Sequence, residues 1–114
     1  MRVAALQFQP TLLEVDANLA TIERELSAAD ADLVVLPELC TTGYFFPDAA
    51  ALAATAETLD GHSVQLLRDH ARSMGCTIVA GLAERAGERL FNSAITVTAD
   101  GALHLYRQVH LFAE

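Results

Sequence analysis

Four aliphatic residues in succession, Leu33 to Leu36, run into Pro37 and then Glu38. An unbroken apolar run reads as a strand buried on both faces, as in a parallel sheet, and a proline that lacks the N–H ends its ladder. Glu38 therefore belongs on the C-terminal rim of a strand. In sheets layered with helices that rim is where ligands bind, so a carboxylate there is a candidate site residue as well as a plain loop acid.

The flanking pattern predicts a strand on either side. Arg2 to Gln9 ends in an alternation of Leu6 and Phe8 with Gln7 and Gln9 before Pro10 breaks it, which reads as a first strand. Leu19, Ile22, Leu26 and Ala29 then recur at helical spacing, predicting a helix over Ala17 to Ala29 with Asp16 as its N-cap. After the Leu33–Leu36 strand, an alanine-rich segment from Ala49 to Thr58 predicts a short helix capped near Asp48. Val64, Leu67, Ala71 and Met74 mark the inner face of a longer one, with His62 or Ser63 near its start, His70 on its outer side and Gly75 as its C-cap. Thr77 to Leu82 is a third strand, Glu84 to Arg89 a polar turn around Gly87, and Leu90 to Thr98 a fourth strand. Ala99-Asp100-Gly101 signals a hairpin into a fifth, Ala102 to Arg107. Strands alternating with helices and ending in a hairpin make a mixed α/β sheet, its crossovers right-handed.

Composition narrows the function classes. A chain of 114 residues is one domain at most, and a hydrophobic share of 53% leaves apolar surface for a partner or further chain to cover. The formal charge is -8, and all basic side chains are arginine, which argues against nucleic acid and anionic membranes as partners. No apolar run approaches the roughly 20 residues of a membrane span, and the N-terminus leads straight into a strand, so a cytoplasmic location is expected. Strand one lacks the Gly-x-Gly-x-x-Gly of a dinucleotide fold.

Several side chains invite a chemical reading. His62 and His70 share a helical face, yet two imidazoles without a carboxylate or cysteine at ligand spacing give no metal site. Cys40 stands two residues beyond Glu38, and burial suits it better than nucleophilic attack, because neighbouring chain positions rarely reach attacking geometry. Cys76 is isolated, and both thiols are expected to be reduced. Tyr44, Phe45 and Phe46 either line a pocket beside Glu38 or pack their loop onto the sheet. Asn92, inside an apolar strand, is expected to bond a neighbouring loop.

Read together, Val3-Ala4-Ala5-Leu6-Gln7, then Leu36-Pro37-Glu38 with Thr42-Gly43-Tyr44, then Tyr106-Arg107-Gln108-Val109-His110-Leu111-Phe112 resemble the carbon–nitrogen hydrolase (nitrilase/amidase) family along the whole chain. That resemblance implies part of a four-layer α-β-β-α sandwich, and a Glu–Lys–Cys set that hydrolyses small amides, carbamoyl groups or nitriles without a cofactor. It implies that Glu38 is the general base, that Tyr44 lies beside the substrate, and that copies pair through apolar surface.

Two departures accompany it. Gln108 stands where the family has its lysine, and the sequence contains no lysine at all. The family's nucleophilic cysteine falls past Glu114, and neither Cys40 nor Cys76 matches it. Residues 1–114 are thus expected to be the N-terminal portion of such a domain, inactive alone, with a truncated or non-catalytic subunit as the alternative.

Overall fold

The computed structural model describes residues 1–43 and 48–110, in the order β1 (Val3–Ala5), α1 (Val15–Ala28), β2 (Leu33–Val35), α2 (Ala49–Thr55), α3 (His62–Met74), β3 (Thr77–Ala86), β4 (Arg89–Val97) and β5 (Leu103–His110). The strands form one sheet in the order β1-β2-β3-β4-β5. The first three run parallel, joined by helical crossovers, and β3-β4-β5 is an antiparallel meander. The mixed sheet with helices matches the expected class.

Side-chain alternation gives the sheet two unlike faces. Val34, Ile78, Ala80, Leu82, Ile95 and Val97 share one face and pack with Leu19, Ile22 and Leu26 of α1 and Val64, Leu67 and Ala71 of α3 in one apolar core. The opposite face is largely uncovered: Val3 and Ala5 are exposed, Val35, Val79, Ala94 and Thr96 are half-buried, and Tyr106 is 68% exposed. Among the described residues only its far end is closed, where Leu52 and Ala56, in and just after α2, meet Leu39 and Ala83.

The elements depart from the sequence pattern in places. Strand β1 is only Val3–Ala5, although Leu6 N–H still donates to Val35 O at 2.9 Å. Helix α1 starts at Val15, and its N-cap is Glu14 rather than Asp16, with no side-chain cap. Its entry is held by Asn18 instead, as described below. Helix α2 ends at Thr55, is capped by Asp48 accepting from Ala51 N–H at 2.8 Å, and Glu57 then adds a parallel bridge to Glu84. Helix α3 starts at His62 and ends on left-handed Gly75, as the pattern predicts.

The larger difference is the supposed polar turn at Glu84 to Arg89. Strand β3 continues to Ala86, Ala86 pairs with Arg89, and the turn shrinks to Gly87-Glu88. Gly87 has φ 62, the conformation that a two-residue hairpin turn asks of glycine at its first central position. The charge of Glu84 suggested solvent, but it is only 1% exposed because its partners lie within the sheet.

Candidate active site

Glu38 follows β2 by three residues and rides on β3. Leu36 N–H donates to Val79 O at 2.8 Å, Gly81 N–H to Pro37 O at 3.3 Å, and Cys40 N–H to Gly81 O at 2.8 Å. The ladder thus outlasts the strand, with residues 37–39 arched over Gly81. A β-carbon at position 81 would fall 2.6 Å from Glu38 Cα and 2.9 Å from Leu39 N, so only glycine admits this approach. Leu39 has φ 48, a left-handed conformation rare for a leucine, and its buried side chain anchors the arch in the Leu52–Ala83 cluster. The result is a half-buried Glu38 at the C-terminal end of the parallel strands.

A second tie comes from α1. Buried Asn18 accepts from Thr11 N–H at 2.7 Å, and its amide nitrogen donates to Thr11 O and Thr41 O, each at 2.8 Å. Leu13 N–H also reaches Thr42 O at 2.8 Å. One amide therefore joins the β1–α1 loop to the segment that follows Glu38. Its place on the helix pattern gave no sign of this, beyond being polar on an otherwise inward-facing turn.

Gln108 was expected just past the fifth strand; it lies inside β5 and is exposed. The pairing with β4 shifts there: Ser93 pairs with Arg107 and Asn92 with Val109, so Gln108 is the extra residue of a β-bulge. Bulges bend a strand and re-aim a side chain, and they recur beside active sites. Strand β4 separates β5 from the strand that carries the Glu38 arch. Two strand spacings of about 4.8 Å put the backbones roughly 10 Å apart.

Beside the bulge, Glu84 Oε1 accepts from Ser93 Oγ at 2.7 Å and from Arg107 Nε at 2.9 Å, and Glu84 Oε2 from Arg107 Nη2 at 2.8 Å. The Arg107 guanidinium also stacks on Phe91, 4.4 Å from the ring centre. The hydrogen bonds from Arg107 hold the Glu84 carboxyl below its ordinary range against the opposing effect of burial, with Ser93 adding to the shift. Sequence reading missed this pair. The available signal was an acid two residues past an apolar run and a base next to Gln108.

Of the other candidates, Cys40 is fully buried and desolvation pushes its thiol up to about 12, so it has no thiolate to attack with. Burial likewise raises Cys76, just before β3. His62 and His70 line a shallow groove with Glu23 and Asp69, and His70, expected on the outer side of its helix, has a buried Nε2 without a partner. Among the described residues no cluster of three or more His, Cys, Asp or Glu could hold a metal ion. The bond expected of Asn92 is not made by its Oδ1, which is buried and unpartnered where the bulge begins. Tyr44 lies outside the described residues.

The fold is shared with known proteins. A family model described as carbon–nitrogen hydrolase matches residues 2–114. A nitrilase of Pyrococcus abyssi is 41% identical over 98% of this chain and 44% of its own length. A 2-oxoglutaramate amidase of Bacillus subtilis is 36% identical over 96% of this chain and 43% of its own. The crystal structure of a CN-hydrolase superfamily protein of Xanthomonas campestris, with an arsenic adduct in its active site, superposes with a TM-score of 0.85 at 31% identity, over 98% of this chain and 42% of that one. The chain thus spans about two-fifths of the length of the curated relatives it matches. No described helix is long and apolar enough to cross a membrane.

Proposed function

The chain belongs to the carbon–nitrogen hydrolase family, and from that premise we propose that residues 1–114 are the N-terminal portion of a cytoplasmic hydrolase domain that opens a small, non-peptide amide or a related carbamoyl or nitrile bond. The observation that carries the proposal is the seat of Glu38, arched over Gly81 at the ligand-binding end of the parallel strands. Nitrilase and amidase relatives support the bond type.

In this reading Glu38 removes the proton of an attacking thiol, and sulfur adds to the carbonyl carbon. Glu38 returns that proton to the departing nitrogen as the C–N bond breaks. Water, deprotonated by the same carboxylate, then attacks the thioester and frees the acid and the thiol. Cys40 is sealed and Cys76 lies away from the arch, so the thiol must come from elsewhere in the protein. Residue 108 faces the oxyanion, Tyr44 lines the substrate, and copies associate through apolar surface.

Gln108 favours a second reading, a subunit that keeps the fold for binding or assembly. A neutral amide donor is roughly half as strong as a charged one, and losing an oxyanion donor costs about 10²–10³ in rate. Amide hydrolysis by the full-length protein, native against Gln108→Lys, separates the two. A gain of about 10²–10³ supports the hydrolase; no gain supports the binding subunit.

A further inference from the structure

We propose that Glu84 and Arg107 are positioning residues that fix the bulge at Gln108, and so set the direction of whatever side chain stands at position 108. The inference rests on the reading of position 108 as the oxyanion-side residue. It draws on side chains from three adjacent strands: Glu84 on β3, Phe91 and Ser93 on β4, and Arg107 on β5.

The pairing defines what has to be held. Ser93 with Arg107 is the last regular pair before the shift, and Asn92 with Val109 the first beyond it. The ladder leaves residue 108 without an opposite number, so its backbone is not fixed by strand pairing. Something else must choose one bulge geometry over a slip of the strand by one residue. Such a slip would move each later side chain of β5 to the other face.

The Glu84–Arg107 pair makes that choice. Both carboxylate oxygens are used, one shared by Ser93 Oγ and Arg107 Nε and the other taken by Arg107 Nη2. The guanidinium is planar and presents a rigid fork, and with one face on Phe91 it has a single seat. Register therefore cannot drift without unpairing a carboxylate that is 2% exposed, a costly event for a buried charge. Apolar packing at these positions would stabilise the sheet comparably, but it would not fix register by direction. Arg107 is the immediate neighbour of the bulge residue, so its seat is the last fixed point before position 108.

The test compares the native full-length protein with Arg107→Lys, which keeps the charge and loses the fork, and with Glu84→Gln, which keeps the size and loses the charge. Amide hydrogen exchange is read residue by residue. In both variants exchange at residues 107–109 should rise about ten-fold or more, with residues 103–105 unchanged. In the Gln108→Lys background, Arg107→Lys should lower kcat by about 10²-fold with KM nearly unchanged, as expected for a misplaced group. Exchange that stays as in the native protein, or that rises equally along β5, overturns the proposal. If Gln108→Lys hydrolyses no amide, the assignment of position 108 fails, and the exchange pattern alone decides whether the bulge is fixed as described.

Discussion

Gly81 lies directly beneath Glu38, with so little room between them that a β-carbon at 81 would stand 2.6 Å from the glutamate's Cα. The atoms it would meet are backbone, so no side-chain rotation relieves the clash. The candidate base is thus aimed by a missing side chain on the neighbouring strand.

Gly81→Ala should therefore lift residues 37–39 off β3 and displace the carboxylate. In the Gln108→Lys full-length protein the expected result is a fall in kcat of about 10²-fold, the usual penalty for a misplacement near 1 Å. The loss of stability should stay within about 1–3 kcal/mol, typical of overpacking. Steady-state kinetics beside thermal melting checks both. Unchanged kcat in a folded Gly81→Ala protein would show that the arch does not place the base.

Asn18 predicts a different kind of loss. Truncation to alanine removes three hydrogen bonds; Thr11 O keeps Glu14 N–H, while Thr11 N–H, in the β1–α1 loop, and Thr41 O, in the segment that follows Glu38, lose their partner. Asn18→Ala should cost about 2–4 kcal/mol, at roughly 1 kcal/mol per bond plus the penalty for orphaned buried groups. Asn18→Asp keeps the acceptor for Thr11 N–H and should recover part of it. Urea denaturation of the three proteins gives the comparison, and equal midpoints would remove Asn18 from the framework.

The pH dependence follows from Glu84. Its folded pKa is depressed below the ordinary carboxylate range, first through its hydrogen bonds to Arg107. A depressed acid contributes stability that is fully present above its unfolded pKa and is lost as pH falls through the folded value. Stability should decline on acidification below about pH 4.5, and Glu84→Gln should flatten that part of the curve. Chemical denaturation at stepped pH measures it; parallel curves for the two proteins would mean the pair does not titrate with unfolding.

How much of this was legible in the residues depends on whether a signal was local. The run from Leu33 to Glu38 announced a strand end and a rim carboxylate, because apolar continuity and a proline both act within a few positions. Gly81 carried a readable mark too, a glycine inside a strand, though not the identity of what approaches it. Glu84 misled, since a charge that is neutralised by a residue 23 positions away looks from nearby like a turn. The bulge at Gln108 left no trace at all, being a relation between two strands rather than a property of either.

The meander has one more consequence, for the order in which the molecule assembles. Strands β3 and β4 are joined by two residues, whereas Leu33 must find Thr77 across the α2–α3 crossover. Closing the short loop costs less entropy, so the hairpin should be formed while the parallel pairing is still open. The arch over Gly81 has nothing to rest on until then, which makes the carboxylate a late arrival in folding. In kinetic terms Ile95→Val should slow refolding, while Leu39→Ala should chiefly hasten unfolding. Equal effects on the refolding limb would mean that the two sheet halves form together.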